Sequence, residues 1–99
     1  MFTAIPTTRF TAWLNELKDR RAAAKVAARI VRLEAGNFGD AKSVGDKVSE
    51  LRIAFGPGYR VYFTRKGDAI VILLVGGDKG SQDRDIATAK AMAAEIHEE

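Results

Sequence analysis

The stretch LRIAFGPGYRVYF, Leu51 to Phe63, constrains this chain more than any other, because it permits little besides a tight β-hairpin. Leu51, Ile53 and Phe55 alternate along one arm, and Tyr59, Val61 and Phe63 along the other, as strands with one buried face do. Pro57 has no N–H to give to a ladder, so Gly56–Pro57–Gly58 is the turn, and it sets the register of the two arms. Alternation then sends Arg52, Arg60 and Tyr62 together to the opposite face. Two guanidiniums and a phenol on one face fit either an ordinary wet surface or a floor that holds a phosphodiester. Alternation alone does not choose between them.

Around the hairpin the periodicity changes. Phe2 to Ile5, followed by Pro6, reads as a brief first strand. Phe10, Trp13, Leu14 and Leu17 then recur at helical spacing, with Thr7 or Thr8 as the N-cap. A second helix starts at about Asp19, its cap, and carries Ala23, Val26, Ala27, Ile30 and Leu33 as an inner stripe until Gly36 ends it. Gly36 to Lys47, with three glycines and two aspartates, reads as a loop anchored by Phe38 and Val44. Ala69 to Val75 is almost continuously apolar, as a strand buried on both faces is. Ser81 is placed to cap a last helix with Ile86, Ala89, Met92, Ala93 and Ile96 inward. The order β-α-α-β-β-β-α, early helices before an antiparallel meander, predicts an α+β fold in one domain over residues 1–99. The helix pair is expected on one sheet face, leaving the face of Arg52, Arg60 and Tyr62 partly open.

Composition narrows the chemistry by exclusion. There is no cysteine, so no disulfide and no thiolate metal site. The single histidine, His97, lies near the C-terminus, so neither a histidine metal cluster nor a Ser-His-Asp triad can be assembled. No metal or cofactor is expected. The longest apolar run is far too short to cross a bilayer, and MFTAIPTTRF lacks a basic start followed by an apolar stretch. No membrane association is expected, and the cytoplasm is the expected compartment. The formal net charge of +3 favours an acidic partner, nucleic acid first.

Two places could carry chemistry. Arginine at Arg52 and Arg60 offers a planar fork of donors matched to phosphate. GGDKGSQDRD runs from a strand into a helix N-terminus, where backbone N–H groups suit an anion and Lys79 adds a point charge. It does not have P-loop spacing, which argues against a nucleotide-binding ATPase. Asp83 and Asp85 interact favourably with the helix dipole, and Glu50 shares the Arg52 face, where it would neutralise an arginine. Arg20, Arg21, Arg29 and Arg32 read as a solvated helix face, Trp13 as core, and His97 receives no role.

VSELRIAFGPGYRVYF and GDAIVILLVGGDKGSQDRDIATA resemble the RelE/ParE superfamily of toxins from type II toxin–antitoxin modules. The nearest branch is HigB-like, the phage-Gp49-related addiction module killer proteins. The likeness runs from FTAWLNELKD through the final helix and is most specific at ELR, GPGYRVYF and GGDK. It implies a small α+β toxin that enters the ribosomal A site and cleaves messenger RNA. Such an mRNA interferase works without metal, through attack of a ribose 2′-OH on the adjacent phosphate. Carried onto this sequence, the resemblance assigns Arg60 to the essential sheet arginine, with Arg52 and Lys79 as further basic positions. Relatives place a tyrosine or histidine near the C-terminal end of the site. Here KGSQDRDI puts Gln82 and Asp85 there, so Gln82 joins the RNA-binding set, and Tyr62 and Asp85 are the candidates for proton transfer.

The resemblance also implies partners: ribosome and message, and a cognate antitoxin, a helix-turn-helix protein of HigA type. Two other activities fit the same fold, a ParE-like DNA gyrase inhibitor without nuclease activity and an inactive member that only binds its antitoxin.

Overall fold

The computed structural model describes residues 1–98. Its elements are β1 (Thr3–Pro6), α1 (Thr8–Glu16), α2 (Arg20–Glu34), β2 (Ala41–Gly45), β3 (Val48–Ile53), β4 (Tyr59–Lys66), β5 (Ile70–Asp78), a 3-10 turn (Lys79–Ser81) and α3 (Gln82–His97). The five strands form one sheet in the order β1-β5-β4-β3-β2, antiparallel except for β1 beside β5. The fold is α+β, with one strand more than the sequence order predicts.

That extra strand, β2, lies inside the stretch that reads as a loop. Its five residues carry only Ala41 and Val44 as apolar side chains, too few for a strand signal. Pairing with β3 makes it a strand, and the connection is a two-residue turn in which Asp46 and Lys47 take positive φ of 54° and 65°. Phe38 and Val44 do anchor this region, one in each core layer.

The first core layer lies between the helix pair and the sheet. Phe10, Ala22, Val26 and Leu33 pack on Leu51, Ile53, Tyr59, Val61, Phe63, Val71 and Leu73, with Trp13 and Phe55 at its margin. Both arms of the hairpin therefore face the way alternation predicts. Thr7 caps α1 by accepting the Phe10 N–H at 3.0 Å, and Asp19 caps α2 by accepting from Arg21 and Ala22.

The second layer lies on the other side. Here α3 lays Ile86, Ala89, Met92, Ala93 and Ile96 over Val48, Tyr62, Leu74 and Val75. The second face is thus covered over much of its area, and Tyr62 is fully buried there. Burying a side chain of this kind stabilises by roughly 1.5–3 kcal/mol, which is why α3 settles on the apolar half of this face. His97 holds the far end of α3. The Thr64 hydroxyl donates its only proton to the Lys47 carbonyl at 2.6 Å, so His97 Nε2 is the donor in its 2.9 Å contact with Thr64.

A bulge in β5 decides what meets what at the site. Tyr62 pairs with Val75 and Phe63 with Leu73, leaving Leu74 unmatched. Leu74 and Val75 therefore both enter the α3 layer, and beyond them Gly76 faces α1 while Gly77 faces α3. The carbonyls at the bulge are taken by the α1 cap: Thr7 donates its hydroxyl to Leu74 O at 2.7 Å and its N–H to Leu73 O at 3.0 Å. Both glycines are required for room. A Cβ on Gly76 would run into the Trp13 ring, and one on Gly77 into the Asp85 carboxylate.

Candidate functional site

Where α3 begins, the second sheet face is no longer covered, and the residues there are polar. Arg52 and Arg60 are directly opposed partners in the β3–β4 ladder, and Gly77 opposes Arg60 on β5. The chain then turns through Lys79, whose Cβ lies 3.9 Å from the position a Cβ on Gly58 would take. Arg52, Arg60 and Lys79 thus line one cleft of about 390 Å³, closed by Asp40, Ala54 and Gly58.

Like charges directly opposed across a ladder repel. Each arginine accordingly has its own carboxylate. Arg52 donates through Nη2 at 3.0 Å and Nε at 3.3 Å to Asp40 Oδ1, at the cleft rim, where both side chains are well exposed. Arg60 is 12% exposed, and its Nε lies 3.4 Å from Oε2 of Glu50, which is 0% exposed. The Arg60 Nη1 donates to Gly58 O at 3.1 Å. Oε2 of Glu50 also accepts from the Tyr62 hydroxyl at 3.1 Å and from the Gln82 amide at 2.8 Å. Glu50 Oε1 and Arg60 Nε are buried without a hydrogen bond among the described residues.

These contacts revise several expected roles. Tyr62 shares a face with the arginines, as alternation requires, but α3 buries it, so it cannot meet a substrate as acid or base. Burial first, then the charge of Glu50 and the hydrogen bond to it, push the Tyr62 pKa well above the ordinary tyrosine value, and the phenol remains a donor. Gln82, expected to touch RNA, is half-buried outside the lining of this cleft, with its amide donating to Glu50. Asp85 sits over Gly77, beside the Arg60 strand, and accepts the Ser81 hydroxyl at 2.5 Å. Ser81 therefore makes no capping bond to α3. The cap has moved to Asp78, which accepts the Gly80 N–H at 2.8 Å and opens the 3-10 turn.

Three contributors escape a reading of motifs. Glu50 was visible only as a neutralising charge on the Arg52 face, and its burial depends on α3. Asp40 comes from the supposed loop. Arg29 does not belong to a solvated helix face: it donates to Arg52 O at 2.6 Å and Phe38 O at 3.1 Å, tying α2 to the strand and loop that carry Arg52 and Asp40. Burial, and then Arg32, lower the Arg29 pKa, while Asp40 acts in the other direction.

The arrangement can bind an anion. Its three cations come from three segments, and each guanidinium presents a planar fork of donors matched to phosphate. Among the described residues no group of three or more His, Cys, Asp or Glu side chains could hold a metal ion, and no helix is long and apolar enough to cross a membrane.

Residues 12–97 match the family described as phage derived protein Gp49-like (DUF891). A Haemophilus influenzae protein, carrying the description "Uncharacterized protein", is 56% identical over 90 residues, covering 91% of each chain. The chain belongs to the phage-derived Gp49-like family, a family related to the RelE-like toxins of toxin–antitoxin modules.

Proposed function

We propose that this chain is the toxin of a type II toxin–antitoxin module, of HigB-like type, and that it cleaves messenger RNA on the ribosome. The observation that supports this best is the convergence of Arg52, Arg60 and Lys79 on one cleft. A phosphodiester seated there would have its non-bridging oxygens among three cations. The 2′-oxygen attacks the adjacent phosphorus, the bond from phosphorus to the 5′-oxygen breaks, and the products are a 2′,3′-cyclic phosphate and a 5′-hydroxyl. Arg60 stabilises the charge that builds on the phosphoryl oxygens, and Arg52 and Lys79 hold the backbone on either side. A preorganised donor of this kind contributes about 10²–10³-fold in rate. Asp85 is the carboxylate assigned to proton transfer. The partner that silences the toxin is a helix-turn-helix antitoxin.

The test is a translating extract programmed with a defined message. The expected result is message cut only where ribosomes engage it. Intact message, together with loss of gyrase supercoiling by the same protein, would replace this reading with a ParE-like one. Intact message and intact supercoiling would leave an inactive antitoxin-binding member.

A further inference from the structure

Among the described residues Glu50 is the one carboxylate that is wholly withdrawn from water, and proton transfer to RNA makes no use of it. We propose that Glu50 is the positioning residue of the cleft: it holds the Nε side of Arg60 so that the other end of the guanidinium faces RNA, and it cancels the charge of Arg60 until RNA arrives. This inference rests on the nuclease reading for its kinetic part, but its structural part stands independently.

The geometry is a count of N–H groups. Arginine has five, on three nitrogens. In Arg60 the Nε–H is buried against Glu50, and one Nη1 proton goes to Gly58 O. The three that remain lie at the far end of the fork, with both Nη nitrogens, where a phosphate can be met bidentately. Tyr62 and Gln82 fix the carboxylate in turn, each by donating to Oε2. The stack therefore runs from core to cleft: phenol and amide, carboxylate, guanidinium, substrate. An apolar side chain would fill the Glu50 position without desolvating a charge. What it could not do is orient Arg60.

Charge adds a second consequence. A neutralised Arg60 contributes little to ground-state binding of RNA, yet its donors remain aimed where charge develops in the transition state. An interaction of that kind appears in kcat and not in KM.

The experiment compares Glu50→Gln with wild type in three measurements on the full chain: message cleavage, binding of a 2′-O-methyl RNA oligonucleotide that cannot be cut, and the side-chain Nε–H signals of the arginines by NMR. Glutamine keeps the volume and the one oxygen that all three groups share, but removes the negative charge that holds Arg60. The expected result is a fall in kcat of at least tenfold, RNA binding unchanged or tighter, and loss of the slowly exchanging Arg60 Nε–H signal, with Arg52 unaffected. Unchanged kcat in a folded variant would overturn the proposal. So would a parallel loss of binding and cleavage with the Arg60 signal still protected, since that pattern marks a purely structural residue. If Glu50→Gln does not fold, Glu50→Asp carries the same test, because it keeps the charge and draws it back by one methylene. If wild type cuts no message, the nuclease reading fails, and the Arg60 signal alone decides whether Glu50 positions it.

Discussion

Two arginine–carboxylate pairs stand side by side in one ladder, and they are built in opposite ways. Arg52 meets Asp40 in the open, with 38% and 56% of their side chains exposed, through hydrogen bonds of 3.0 and 3.3 Å. Arg60 meets Glu50 in the interior, with poorer geometry and one oxygen that has no partner among the described residues. By distance the first pair looks stronger. By environment the second matters more, because water screens the first and competes for it, whereas nothing can replace a lost partner in the second. Hydrogen-bond length and burial therefore rank these pairs in opposite orders, and burial is the ranking expected to govern stability.

The largest stability effect should follow from breaking the buried pair. Glu50→Ala leaves Arg60 charged and unpaired and is expected to cost about 3–5 kcal/mol, read as a fall in the denaturant midpoint. A loss no larger than that of a surface variant would collapse the distinction between the two pairs.

Tyr62→Phe is the intermediate case. It removes one donor from Glu50 but leaves the ion pair, and the expected cost is about 1 kcal/mol. It also carries a pH signature. The folded-state pKa of Tyr62 is raised above its ordinary value of 10.0, so the stabilisation is fully present below that value. As pH climbs past it the unfolded chain ionises first, and stability drains away. Wild type should lose denaturant resistance above pH 10 more steeply than Tyr62→Phe does. Equal slopes would mean that the phenol is not held as a buried donor.

The smallest effect belongs to the rim. Asp40→Ala should change stability by less than about 1 kcal/mol, because its ion pair is exposed. It should also tighten RNA binding, since Arg52 loses a competing anion. Weaker binding would assign Asp40 a supporting role and give the two carboxylates the same character.

The same contrast explains how far the sequence could be read. Helices α1 and α2 were legible because strong periodicity coincided with the caps Thr7 and Asp19, two independent signals at one boundary. The hairpin was legible because alternation on both arms met a turn that allows one register. Strand β2 was not, because its identity comes from its neighbour and not from its own five residues. Within the site, parity correctly grouped Tyr62 with Arg52 and Arg60, but parity says which side a residue takes and not what covers that side. The packing of α3 turned one member of the group into core and left two in a cleft. Glu50 was the hardest to see for the same reason. A glutamate between Ser49 and Leu51 looks like surface, and only the helix arriving from thirty-two positions later, at Gln82, seals it in.

The central claim is that Arg60, seated on Glu50, stabilises the transition state of RNA cleavage. It is tested most directly by the single-turnover rate of message cleavage on ribosomes for wild type and Arg60→Ala. The account predicts a fall of about 10²–10³-fold in a variant that remains folded. A folded Arg60→Ala that cuts message at the wild-type rate would contradict it.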